Sequence, residues 1–289
     1  MTPLRILQGP EHQMLVDAHF ESHVAQWRDV YEQAGVEGAI YRKRLEIALS
    51  WIDELSIPAR ERILEIGCGG GGCTVALARR GYRILAMDSV TGMLNSTQQR
   101  AADAGVSSSV ATSLGDAHNL AFQDSNFGLV LAIGVIPYLH APQRALREMS
   151  RVLRPGGFLL ITAGNRWSLS NILDPWLCPP VQPARRIVRW MMRRCRIPQP
   201  APFNVPMRRD SLRELNGWLS SAGLTIIQAR TVGFPPFTVR FQPIFGERTS
   251  IRLNYWLQRR ADCNVPGIRS CGMDYMVLAR KQREARGQR

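Results

Sequence analysis

Lysine is almost missing from this 289-residue chain: Lys43 and Lys281 are the only two, so nearly all of the 37 basic residues are arginine. A GC-rich coding sequence accounts for part of such a bias and raises the isoelectric point with no functional demand. No window approaches 18 uninterrupted apolar residues, which argues against a membrane-spanning helix. Met1 to Gln13 lacks the charged-then-apolar order of a secretion signal, so the expected location is the cytoplasm. Six cysteines, at 68, 73, 178, 195, 263 and 271, form no C-x-x-C pair and have no His-x-x-x-His partner nearby. Neither a disulfide framework nor zinc or another metal is expected, and Cys68 reads as packing.

The bulk composition is ordinary, with 45% hydrophobic and 21% charged residues, and suits a soluble enzyme of one main domain with a sizeable elaboration. Charge is distributed unevenly. Residues 1–165 hold 15 basic and 16 acidic side chains, whereas residues 166–289 hold 22 and 7, so the whole +14 excess sits in the carboxyl-terminal half. Such asymmetry points to an acidic substrate, a membrane surface or nucleic acid. No RRM, KH or zinc-knuckle pattern accompanies it, which argues against nucleic acid. The densest run is Ala184 to Arg196. At 100° per residue Arg185, Arg186, Arg189, Arg193 and Arg196 share one broad face, with Ile187, Val188, Met191, Met192 and Cys195 opposite. A basic amphipathic helix of this kind lies on an anionic membrane, covers a site for a lipid-like substrate, or packs onto its own domain with a solvated arginine face.

Residues Ile63 to Gly72 read Ile-Leu-Glu-Ile-Gly-Cys-Gly-Gly-Gly-Gly. An apolar run breaking into glycine describes a buried strand that ends in a tight turn and brings backbone against a ligand. Gly67, Gly69 and Gly72 fit the G-x-G-x-x-G fingerprint, and Asp88 follows at about the spacing of a ribose-binding acid. Alone, the turn fits NAD and S-adenosylmethionine equally. Glu65 tilts the choice, because a carboxylate at the strand's carboxyl end repels a pyrophosphate but favours a sulfonium and an ammonium.

From here the chain resembles the class I S-adenosylmethionine-dependent methyltransferases, whose first motif, acidic-x-Gly-x-Gly-x-Gly, is filled by Glu65, Gly67, Gly69 and Gly71. Arg83 to Asp88 is similar to the family's second strand. The resemblance implies that Asp88 grips two ribose hydroxyls, with Ser89 beside it and Met93 near the adenine. Gly115-Asp116-Ala117 is similar to the third motif, which implies that Asp116 accepts from the adenine amino group and the Ala117 amide meets a ring nitrogen. Phe127 to Tyr138 is similar to the fourth strand with its exit loop, where Ile133 and Gly134 border the cofactor. Leu153 to Ile161 resembles the turn into the fifth strand, with Pro155-Gly156-Gly157 a plain turn. Together these segments cover roughly residues 60–165 and imply an α/β fold: a Rossmann-like, doubly wound, seven-stranded, mostly parallel sheet with an antiparallel last strand and helical cap insertions.

Relatives in quinone biosynthesis carry a Val-Leu-x-His pattern after the fourth strand. Here Val135-Ile136-Pro137-Tyr138-Leu139-His140 puts Tyr138 in that slot and His140 two residues later. These two are the catalytic candidates, His140 as the base for a hydroxyl acceptor, since imidazole titrates near neutral pH. Gly128 replaces the usual Asp, a change at the strand's start. No Asn/Asp-Pro-Pro-Tyr sequence follows the fourth strand, which argues against nucleic-acid N-methylation.

The expected plan is a helical segment over residues 1–58 that covers the cofactor site, and a methyltransferase domain over 59–289 with insertions at 165–206 and 233–271 forming a substrate cap. His19 to Tyr41 reads as helical, with Trp27, Val30 and Tyr31 at helical spacing. Tyr31, Tyr41, Arg42 and Arg44 are expected to reach the methionine carboxylate or the acceptor, and Trp167 and Trp190 to line the acceptor site. The functional expectation is methyl transfer from S-adenosylmethionine to a small, bulky apolar or lipid-like molecule, at oxygen, with at most peripheral contact to an anionic membrane. The alternatives are an RNA-modifying methyltransferase that uses the basic half, a dinucleotide-dependent oxidoreductase, and an inactive binding protein on the same fold. Oligomeric state is not legible.

Overall fold

A computed structural model describes residues 10–58, 61–174, 207–239 and 242–282, together with positions 178, 194 and 205. Apart from Arg194, the arginine-rich run at 184–196 lies outside these residues, as do Trp176 and Trp190.

Three helices precede the sheet: α1 (Pro10–Ser22), α2 (Val24–Arg28) and α3 (Gly35–Glu54). The sheet then forms from β1 (Arg62–Ile66), β2 (Arg83–Asp88), β3 (Val110–Leu114), β4 (Phe127–Ala132), β5 (Leu153–Gly164), β6 (Leu224–Val232) and β9 (Asp274–Lys281). Its order is β3-β2-β1-β4-β5-β9-β6, with β9 antiparallel to both neighbours. Connecting helices are α4 (Gly72–Ala78), α5 (Thr91–Asp103), α6 (Pro142–Val152), α7 (Leu169–Leu173) and α8 (Leu212–Ser221). A two-stranded hairpin, β7 (Thr238–Val239) with β8 (Gln242–Pro243), and α9 (Glu247–Asp262) lie between β6 and β9.

Parallel strands covered on both faces read as unbroken apolar runs, and β4 is buried at every position. Alternation along each strand divides the core. Val130, Leu159 and Val277 face Leu146 and Met149 of α6 and Leu219 of α8. Leu131, Leu160 and Leu278 face Trp51 and Ile52 of α3 and Leu77 of α4. After β1 the chain winds outward through β2 and β3 and then returns to add β4 on the other side. The switch therefore falls between β1 and β4, and their carboxyl ends open a crevice there.

The boundaries of β2 agree with the expected second strand, but the helical reading of 19–41 does not hold throughout. The helix stops at Ser22, α2 lasts five residues, and the chain turns over 29–34 before α3 begins at Gly35, whose φ of +89° excludes helix there for an ordinary side chain. Arg42 braces that turn. Its Nη1 donates to the Tyr31 and Gln33 carbonyls, both at 2.8 Å, groups that no helix satisfies.

At the end of β1, Glu65 points into the α3/α4 core with only 3% of its surface exposed. The Thr74 hydroxyl donates to its Oε2 at 2.5 Å, yet burial pushes the carboxyl up to about 7. A folded-state value above the unfolded one gives a contribution that is fully present at low pH and is lost as pH rises through about 7. We expect Glu65→Gln, which keeps an oxygen for Thr74, to stabilise the ligand-free protein by about 1–3 kcal/mol at pH 8 and by little at pH 5. Urea unfolding of both forms at the two pH values checks this, and equal gains at both would place the effect elsewhere.

Candidate functional site

A cleft opens at the carboxyl ends of β1, β2 and β4. Gly67, Asp88, Ser89, Asp116, Ala117 and Gly134 line its sheet side, Tyr138 lies at its rim, and Gln13, Val16 and Phe20 of α1 close the other wall. Seven of the residues expected in the site are therefore brought together. Others lie around it: Glu65 below the glycine turn, Gly69 and Gly71 within that turn, Met93 buried on α5, and Ile133 packed on the second core.

The glycine turn is shaped by backbone conformation. Gly67, Gly69 and Gly71 have φ of +68°, +53° and +78°, the left-handed region that side chains disfavour. Close approach constrains the other two. A Cβ on Gly70 would lie 2.4 Å from the Arg28 Cα, and one on Gly72 would lie 2.4 Å from the Tyr31 ring, so α2 and Tyr31 rest directly on the turn. Asp88 joins this turn to the next. Its Oδ2 accepts from the Gly69 N–H and its Oδ1 from the Val90 N–H, each at 3.0 Å. Burial nonetheless raises its carboxyl to about 6, against the backbone hydrogen bonds that lower it. The hydroxyl of Ser89 donates to Asp17 of α1 at 2.7 Å, tying the cover to the same loop.

On the far side of the cleft, Asp116 Oδ1 accepts from the His118 backbone N–H at 2.9 Å and contacts the His118 Nδ1 at 2.7 Å. Burial tends to raise the Asp116 carboxyl, but these bonds outweigh it and hold the group below the usual carboxylate range. The His140 ring stacks on His118 with centroids 3.9 Å apart, outside the cleft lining, and its buried Nδ1 has no partner. Burial and the neighbouring His118 lower the His140 imidazole. The Tyr138 ring meets Phe20 edge-on at 4.9 Å, and burial pushes its hydroxyl well above the ordinary phenol value.

Arg44 approaches from α3. It is 5% exposed, its Nε has no hydrogen-bond partner, and its ion pair with Asp274 is 3.7 Å long. Its guanidinium lies over the Tyr41 ring at 4.5 Å, and its Nη1 is 3.3 Å from where a Cβ on Gly134 would stand. Tyr41 packs edge-on against Trp27, which meets Phe20, so a row of aromatic rings runs from the cleft rim to a second cavity that Tyr41 lines. Trp167 is 44% exposed and lines neither cavity. The sequence reading missed Gln13, Phe20 and His118. Only His118 carried a local signal, an Asp-x-His spacing that suits a side-chain-to-backbone turn. Among the described residues no group of three or more His, Cys, Asp or Glu is placed to hold a metal.

Residues 64–161 match the family described as "Methyltransferase domain". The ubiquinone biosynthesis O-methyltransferase of Azorhizobium caulinodans is 32% identical over 132 residues, 46% of this chain and 49% of that protein. The biotin biosynthesis bifunctional protein BioHC of Cellvibrio japonicus is 30% identical over 143 residues, 50% of this chain and 26% of that protein. This chain thus spans half or less of the length of these curated relatives. A crystal structure of magnesium protoporphyrin IX methyltransferase from Synechocystis PCC 6803 with bound SAH superposes with a TM-score of 0.62 over 94% of this chain and 100% of that one, at 12% identity, a likeness of fold. Residues 64–161 thus carry a methyltransferase domain, and the strand order and glycine turn around it agree with the class I S-adenosylmethionine-dependent fold.

Proposed function

We propose that the protein transfers a methyl group from S-adenosylmethionine to an oxygen of a small, bulky apolar or lipid-like acceptor. The observation that carries the cofactor half is Asp88. Each of its carboxylate oxygens accepts one backbone N–H and keeps lone-pair capacity for a ribose hydroxyl, beside a glycine turn at a topological switch point. Gly67, Gly69 and Gly71 then admit the backbone of the turn to the cofactor. Gly134 and Ala117 border the cofactor, and Ser89 fixes the loop beyond Asp88. Arg44, buried and short of hydrogen bonds, supplies a guanidinium for the methionine carboxylate.

The acceptor half rests on the second, open cavity between the start of α3, Pro235, Pro236 and the start of α9. Its apolar lining and the aromatic row leading back to Tyr138 suit a bulky acceptor, and the O-methyltransferase relatives favour oxygen. Residues 1–58 act as a cover and residues 233–271 as part of a cap over that acceptor. Methyl transfer is an in-line displacement: the acceptor oxygen forms a bond to the methyl carbon as the carbon–sulfur bond breaks, S-adenosylhomocysteine is left, and the acceptor's hydroxyl proton is released to solvent. The protein's task is to align the acceptor and exclude water. Tyr138, with its raised hydroxyl, serves as a neutral rim group and hydrogen-bond donor. Among the described residues no helix is long and apolar enough to cross a membrane.

Isothermal titration is expected to show S-adenosylhomocysteine binding, and no binding up to millimolar concentration would sink the proposal. Asp88→Ala should weaken that binding by about 1.5–3 kcal/mol through loss of charge-assisted hydrogen bonds. Because the Asp88 carboxyl sits at about 6, wild-type affinity should already fall as pH drops below that value. An affinity flat down to the ordinary aspartate range would remove Asp88 from the ribose contact. Arg44→Lys should weaken S-adenosylhomocysteine roughly tenfold yet leave 5′-methylthioadenosine, which lacks the amino-acid part, nearly unchanged. Parallel losses for both ligands would make Arg44 structural.

A further inference from the structure

We infer that His118 is a positioning residue that orients the Asp116 carboxylate to recognise an exocyclic amino group, and so makes the cleft selective for an adenine base. The inference rests on the cofactor reading above and assigns a role to a residue outside the family's motif. His118 is 2% exposed and its two ring nitrogens have opposite partners. The backbone N–H of Ala141 donates to Nε2 at 3.3 Å, so Nε2 is the acceptor nitrogen. The proton of the neutral ring then sits on Nδ1, which donates to Asp116 Oδ1 at 2.7 Å. The same Oδ1 also receives the His118 backbone N–H at 2.9 Å.

Two donors on one oxygen fix the plane of the carboxylate. Asp116 keeps half of its side-chain surface exposed and lines the cleft, and among the described residues Oδ2 has no hydrogen-bond partner. A free, ionised Oδ2 presented to the cleft accepts from an amino N–H but repels a carbonyl oxygen at the same position. His140, stacked on the other side of the imidazole at 3.9 Å, keeps the ring from rotating out of this arrangement. The selectivity is therefore for adenine over hypoxanthine, which differ at that one substituent. Without His118 the carboxylate has a single backbone donor and turns more freely, and its preference for a donor falls.

The test uses the full chain and two ligands, S-adenosylhomocysteine and S-inosylhomocysteine, titrated calorimetrically into wild type, His118→Leu and His118→Asn. Wild type should prefer the adenosyl ligand by roughly tenfold or more, the usual effect of a hydrogen bond to a charged group. His118→Leu should weaken the adenosyl ligand while leaving the inosyl ligand nearly unchanged, so that the preference shrinks toward unity. His118→Asn, whose amide nitrogen stands near the Nδ1 position, should restore most of it. Preference kept by His118→Leu, or equal loss of both ligands in both variants, would overturn the inference while leaving the cofactor reading intact. Failure of wild type to bind either ligand would sink the cofactor reading and this inference with it.

Discussion

The carboxylate of Asp88 ties together the two loops that meet at the cleft. Strands β1 and β2 run parallel with Ile66 beside Met87, so both chains leave the sheet at the same height. The Met87 carbonyl accepts from Gly67 and Cys68, at 2.7 and 3.1 Å, and the Asp88 side chain then takes the Gly69 and Val90 amides. The glycine turn can point its amides inward only because its residues occupy the left-handed region. Each feature requires the other. Without the turn, this buried carboxylate would lose the Gly69 N–H; without the carboxylate, the Gly69 and Val90 amides would lack acceptors.

The amino-terminal segment depends on those loops in turn. Asp17 accepts from Ser89 and from Gln13, and Glu21 accepts from the Gly92 N–H in the first turn of α5, where an acidic group is favoured by the helix dipole. Arg100 returns from α5 to the Arg28 carbonyl and to Glu32. Most of these contacts are exposed, and an exposed polar contact contributes little to stability. What fixes α2 is steric. Its backbone sits where Gly70 has no side chain, and the fit is lost if the turn changes shape. The cover is therefore specified by the glycines more than by its own ion pairs.

This hierarchy explains what the sequence discloses. Strand β4 is legible because burial of both faces leaves an unbroken apolar run, and the interior of β2 reads the same way between Arg83 and Asp88. The placement of Gly67, Asp88 and Asp116 along the cleft is legible because their positions follow from strand ends, and strand ends follow from the runs. The break between α1 and α3 is not, because the apolar spacing of Trp27, Val30 and Tyr31 suits a helix and the decision is made by Gly35 and by Arg42, which sits in the following helix. His118 is hidden for a different reason: its importance lies in the tautomer set by the Ala141 amide, 23 residues away. The stacking of His140 on His118, which moves His140 off the cleft wall, is likewise a tertiary fact.

The charge at the cleft runs opposite to the charge of the chain. Against a net +14, the sheet ends set Asp88 and Asp116 at the cleft with Glu65 behind them in the α3/α4 core, and burial holds Asp88 and Glu65 well above their ordinary values. Asp88, the one of the two that lines the cleft, is costly to ionise in the empty protein and less costly when a cation or a hydroxyl donor enters. Arg44 is the complementary case, a buried cation whose partner Asp274 is too distant for a close hydrogen-bonded pair. A ligand that carries a positive centre and a carboxylate at opposite ends of one short chain would relieve both. In the proposed function, binding such a ligand would offset the desolvation that folding imposes on Asp88 and Arg44.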